Sequence, residues 1–171
     1  NMSDAFKDRT TFNENISGWD VSNVTSMKAI FSGASSFNQP IGNWNVSSVR
    51  NLQGAFKEAS AFNQAIGDWN VSSADTMQGS FLKASAFNQD LGDWDVSSVT
   101  SLRGTFNGAS SFNQDIGDWN VSSARNMQSV FNGTSAFDQD LGDWNVSSAT
   151  VMTDMFHNTS SISSSNKERI H

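Results

Sequence analysis

The sequence predicts an α/β solenoid of about six 25-residue coils, with short parallel strands on one face and short helices on the other. Three observations predict it. First, the stretch FNQDIGDWN at 112–120 recurs as FNQPIGNWN from Phe37, FNQAIGDWN from Phe62, FNQDLGDWD from Phe87 and FDQDLGDWN from Phe137, always 25 residues apart. A worn copy, FNENISGWD, opens at Phe12. Periods of this length signal a stacked array, and each unit buries its apolar face only against its neighbours. Second, the aromatic residues sit on fixed phases of the period. Every tryptophan lies in one column: Trp19, Trp44, Trp69, Trp94, Trp119 and Trp144. One phenylalanine column contains Phe31, Phe56, Phe81, Phe106 and Phe131, with Phe6 and Phe156 at its ends; a second runs from Phe12 to Phe137. Third, the apolar spacing within one period switches from that of a strand to that of a helix.

The elements follow in order along WDVSSVTSLRGTFNGASSF, residues 94–112. Trp94 and Val96 are two apart, so an extended strand turns both to one face. Ser97 or Ser98 stands where a helix N-cap is wanted. Val99, Leu102, Phe106 and Ala109 then recur at helical spacing, which predicts a helix shortened by Gly104 and Gly108. The segment after it returns without helical pattern, and Phe112 and Ile116 plug it into the core. Equivalent strands pair in parallel, one per coil. Stacking makes the Trp and Phe columns a continuous core.

The repeats fill residues 1–162. Beyond Asn158 the pattern dissolves: Ile162 stands in a Phe column, and the rest of 163–171 is polar, which predicts a cap or linker. The chain opens inside a repeat, so an excerpt of a longer chain is expected. Its formal charge of −7 and pI near 4.5 argue against nucleic acid or an anionic membrane surface as partners. No apolar run approaches the ~20 residues that span a bilayer. Cysteine is absent, so disulfides, thiolate metal sites and cysteine nucleophiles are excluded. The two histidines, His157 and His171, lie outside the recurring words.

At WNVSSVRNLQGAF and WNVSSARNMQSVF the pattern resembles BspA-like leucine-rich-repeat surface proteins. Their bacterial surface-protein repeat reads F-N-Q-x-I-x-x-W-x-V-S-x-V-x-x-M-x-x-M-F. The resemblance covers nearly all of residues 2–162. It departs at Ala74, Ala124 and Ala149 and at Leu52 and Leu102, all in core columns. It implies a leucine-rich-repeat-like coil displayed on a microbial or algal surface, often in adhesion or host contact. It carries over no catalytic residue.

Polar columns supply the candidate sites. Asp90, Asp115 and Asp140 form one acidic column; Asp93, Asp118 and Asp143, with Asp68, form another. Parallel strands would set equivalent oxygens about 4.8 Å apart, a spacing that suits Ca²⁺ between coils. Asp beside Gly also suits tight turns, and that structural reading is preferred. A glycosidase needs two carboxylates in unequal environments, and a column of identical neighbours does not provide them. No enzyme activity and no cofactor are therefore expected. Asn38, Asn63, Asn88 and Asn113, continued by Asn13 and Asp138, predict an asparagine ladder that satisfies buried loop amides, with a glutamine column beside it. Nine N-x-S/T sequons occur. The NVSS copies are placed on the strand, so Asn23, Asn132 and Asn158 are the better glycosylation candidates.

The expected function is a non-catalytic, surface-displayed interaction or adhesion module, extracellular or on a cell surface. It would take a protein or glycan ligand on a lateral face. The alternative is a structural subunit of an extracellular filament, sheath or larger assembly, joined to neighbouring subunits through its ends.

Overall fold

The computed structural model describes residues 1–168, with side chains through Lys167. Residues 169–171 of the expected cap, His171 among them, lie outside the described residues.

The 25-residue period is the register of the structure, but its coils are built of turns. Between Leu102 and Ala109 the backbone amides alternate in direction. The amides of Thr105, Asn107 and Ala109 donate within the coil to the carbonyls of Leu102, Gly104 and Phe106, each three residues back. Those of Leu102, Gly104, Phe106 and Gly108 donate instead to Asn126, Gln128, Val130 and Asn132 in the next coil, at 2.8–3.0 Å. The alternation needs left-handed residues. Gly104 and Gly108 have φ of +60° and +70°, and each is the third residue of its turn, the position where a type II turn demands positive φ. Every coil keeps both left-handed positions. Where glycine is missing, Asp4, Asp8, Ala29, Glu58, Lys83, Ser129, Asp154 and Asn158 adopt φ between 51° and 59°.

This corrects the expected α/β solenoid. An α-helix sends each N–H to the carbonyl four residues back. Left-handed residues four apart break any right-handed helix over the same span. The helix predicted through Val99, Leu102, Phe106 and Ala109 is therefore absent. Its apolar spacing came from a run of tight turns that also brings Leu102, Phe106 and Ala109 to the core. The parallel sheet is absent as well. Coils touch through isolated one-residue bridges, Ser26 to Asn51, Asn51 to Thr76, Thr76 to Ser101, Ser101 to Asn126 and Asn126 to Val151. Trp94 and Val96 are buried with Asp95 exposed between them, so the alternation is real, but no strand forms there. Ser97 and Ser98 are not a helix cap. They are the centre of a turn closed by Val99 N–H on Val96 O at 2.9 Å. The only described helix, α1, spans Ser164–Glu168, after the repeats. Ser163 caps it, its hydroxyl accepting from Asn166 N–H at 3.3 Å.

The core runs along the stack. Phe106 and Phe112 stack within one coil at 4.0 Å and 8°. Phe81 and Phe106 stack between coils at 5.6 Å and 3°. The indoles do likewise, with Trp69 and Trp94 6.4 Å apart and 3° from parallel. Each interior indole also donates to a carbonyl of the preceding coil, Trp94 Nε1 to Ile66 O at 3.1 Å and Trp119 Nε1 to Leu91 O at 2.9 Å. Trp19 departs from its column. It is 48% exposed, with its ring 5.6 Å from that of Phe6.

Candidate functional site

The period divides into two sides that sandwich the core, as the Phe106–Phe112 stack between them shows. The return side covers residues 10–24 and their equivalents through 135–149. It holds eleven carboxylates and no Lys or Arg. The turn side, residues 1–9 and their equivalents through 150–159, holds eight Lys or Arg and five carboxylates. The net negative charge therefore belongs to one side of the stack.

On the return side the aspartates serve the backbone. Oδ1 of Asp90, Asp115 and Asp140 accepts the N–H of Gly92, Gly117 and Gly142, two residues on, at 2.9–3.0 Å. Asp93, Asp118 and Asp143 are exposed beside them. Asp90, Asp93, Asp115 and Asp118 line an open cleft with Gly92. Among the described residues no three His, Cys, Asp or Glu side chains come together as a metal site. The proposed calcium ligands are thus placed as neighbours along a surface and are not gathered around a point.

The Asx turn also explains the NVSS words, which lie in turns and not on a strand. Asn70 Oδ1 accepts from Ser72 N–H at 3.1 Å and from its hydroxyl at 2.7 Å. Asn45 and Asn120 repeat both bonds. Asp20 and Asp95 hold the same place. The Ser22 hydroxyl, then the Ser22 N–H, keeps the Asp20 carboxyl below the usual carboxylate range; the Ser97 hydroxyl, then its N–H, does so for Asp95. Of the three glycosylation candidates, Asn23 and Asn158 are exposed and Asn132 is half-buried. The sequon threonine of Asn132, Thr134, is buried and donates to Phe106 O at 2.6 Å.

The asparagine ladder has a defined geometry. Asn38 Oδ1 accepts from Asn63 N–H, Asn63 from Asn88, Asn88 from Asn113, and Asn113 from Asp138, each at 2.9 Å. Asn13 begins the series and Ser163 N–H on Asp138 ends it. That last N–H is the main cause that holds the Asp138 carboxyl below its ordinary pKa. Gln64, Gln89, Gln114 and Gln139 donate to the same asparagine oxygens at 2.9–3.0 Å. The ladder's side chains are half-buried or exposed, at the rim where the coils approach.

Sequence reasoning passed over a third polar column, Gln53, Gln78, Arg103 and Gln128. Its signal was available, since these residues share one phase of the period. Together with Lys57, Leu82 and Asn107 they line a cleft of about 350 Å³ over Gly54, Gly79 and Gly104.

The family described as "Mycoplasma protein of unknown function, DUF285" matches residues 1–94 and again residues 81–169, so the chain belongs to that family and carries its repeats in tandem. No curated protein and no solved structure matches the chain.

Proposed function

We propose that this member of the family is a non-catalytic interaction or adhesion module displayed on a cell surface, with a ligand bound along one lateral side. The observation that carries the reading is the division of charge between the two sides. A rigid stack with one strongly acidic side and one mildly basic side presents a partner with two chemically distinct surfaces, and electrostatic complementarity governs encounter and register. The BspA-like pattern of the repeats supports surface display and adhesion. The aspartates add no argument for catalysis, since those of the Asp90 column are engaged by glycine amides in equivalent turns.

The test uses intact cells of the producing organism and the purified chain. External protease is expected to remove the protein from intact cells. Purified chain coated on beads is expected to hold those beads on the cells or matrix to which the organism attaches. Protection from external protease, or beads that do not attach, overturns the reading.

A further inference from the structure

We propose that the cleft on the turn side is a binding groove for a linear acidic polysaccharide lying along the stack axis. The inference rests on the interaction-module reading and names its ligand class.

Two glutamine columns run along this protein, and they are used differently. Gln64, Gln89, Gln114 and Gln139 are spent on the asparagine ladder. The side-chain amides of Gln53, Gln78 and Gln128 make no hydrogen bond among the described residues, yet they are half-buried in the walls of the cleft. Half-buried amides that face one groove from successive coils offer donors and acceptors at a regular repeat. A ligand that uses all of them must itself repeat, and its groups must both donate and accept, as sugar hydroxyls do.

The fourth member of the column supplies the charge. Arg103 stands where its neighbours have glutamine, it is exposed, and it has no ion pair among the described residues. Its planar fork suits a carboxylate bidentately. Lys57 lies on the other wall, 3.9 Å from Glu58, which it shares with Lys83. The cleft lining contains these two cations and no carboxylate. Leu82, half-exposed in the same wall, gives an apolar contact for the C–H face of a sugar ring. Gly54, Gly79 and Gly104 line the cleft without a side chain to fill it. The cleft's amides are neutral, and its positive charge is confined to two points. A uronic-acid chain has carboxylates at intervals separated by hydroxyls, which fits that distribution better than a uniformly charged strand.

Arg103→Gln is the chosen variant, because it installs the residue that three other coils already carry and so leaves the fold intact. Gln78→Glu adds a carboxylate to the same wall. Asp118→Asn, on the return side, is the control. Calorimetric titration with hyaluronan of defined length is expected to show binding by the full chain. Arg103→Gln is expected to weaken it about tenfold or more, the scale of a lost charge-assisted hydrogen bond. Gln78→Glu is expected to weaken it similarly, and Asp118→Asn to leave it unchanged. Carboxyl-amidated hyaluronan is expected to bind the wild type as weakly as hyaluronan binds Arg103→Gln. No binding of hyaluronan, or binding indifferent to Arg103→Gln and Gln78→Glu, overturns the groove. Equal binding of single-stranded DNA also overturns it, since charge alone would then suffice. Failure here with beads still attaching to cells removes only the ligand assignment; failure of both removes the adhesion reading.

Discussion

A glycine column sets the distance between coils. A Cβ on Gly117 would sit 2.7 Å from the carbonyl oxygen of Asp140 in the next coil, and one on Gly67 would sit 2.7 Å from Asp90 O. Gly92, in the same column, is looser, with Asp115 O at 3.3 Å. Gly18 lies outside this column, one phase later and in line with Asp93, and has nothing within 4 Å. None of the four has positive φ, so alanine is not strained there by backbone conformation. Gly→Ala at a compatible site stabilises by about 0.4–1 kcal/mol through the unfolded chain. Forcing a methyl against backbone costs about 1–3 kcal/mol. Gly18→Ala should therefore gain a few tenths to about 1 kcal/mol. Gly92→Ala should stay near zero, because a few tenths of an ångström of movement relieve it. Gly67→Ala and Gly117→Ala should lose roughly 0.5–2 kcal/mol net. Urea midpoints followed by tryptophan fluorescence give the order. If Gly117→Ala matches or exceeds Gly92→Ala in midpoint, coil spacing is not held by this column.

Four further outcomes are expected. Trp94→Ala should destabilise by about 3–5 kcal/mol in denaturant, whereas Trp94→Phe, which keeps a ring but drops the bond to Ile66 O, should cost far less; near-wild-type stability of Trp94→Ala contradicts its place in the core. Asp138 has its carboxyl pKa held below the unfolded value, so its contribution is full above the ordinary carboxylate pKa and is lost as pH falls through the folded one. Protection of the Ser163 amide, taken relative to its intrinsic exchange rate, should fall as pH drops below the ordinary carboxylate range, and Asp138→Asn should abolish that pH dependence; an unchanged pH profile in the variant rejects this assignment. Lys83→Gly should raise stability by about 1 kcal/mol, because φ of 56° costs a side-chain-bearing residue that glycine does not bear, and a fall in its melting temperature would count against the left-handed position. Deleting residues 87–111 joins Ala86 to Phe112 in register and should leave a shorter folded protein, while deleting 12 residues should abolish folding; equal damage to the circular dichroism of both rejects nearest-neighbour stacking.

The period was legible in the sequence because it is written in large side chains. A column of Trp or Phe has one economical use in a stack, and the structure places those columns inside, apart from exposed Trp19 and half-buried Phe6, Phe12 and Phe156 in the outermost coils. The path of the backbone between them was not legible. The spacing of Val99, Leu102, Phe106 and Ala109 fits a helix and a run of tight turns alike. Gly54, Gly79, Gly104, Gly33, Gly108 and Gly133 were the clue to left-handed turns. Ala29, Ser129, Glu58 and Lys83 hid it by occupying the same two phases without glycine. The Asp columns looked like ligands for the same reason that they look like turns: an acidic oxygen two residues before a glycine amide satisfies either reading, and only the bonds of Asp90, Asp115 and Asp140 separate them. The free glutamine column was less legible because it lies outside the repeated word and Lys28, Arg103 and Thr153 interrupt its phase.

Regularity in this protein lies between coils and not along the chain. Its buried backbone still finds partners. Alternate amides of every turn run but the last bond to the next coil, asparagine oxygens take the loop amides, and indoles take carbonyls of the coil before. Buried hydroxyls close the remaining gaps: Thr105 Oγ1 donates to Leu102 O at 2.7 Å and lies 3.1 Å from Met77 O in the preceding coil. Among the described residues no buried side-chain nitrogen or oxygen lacks a partner. Such a coil has little reason to form alone. Each non-glycine residue held at positive φ costs about 1–2 kcal/mol, and a single coil has no lateral bonds to offset it. At non-glycine positions such as Lys83 the left-handed turns are therefore held by lateral bonds to neighbouring coils and not by local preference. A peptide of one period, residues 62–86, which carries Lys83 at a left-handed position, should be unfolded, while the same residues between two neighbours adopt the full set of turns. That dependence is why apolar spacing read along the chain gave a helix, and why columns read across the period located the core.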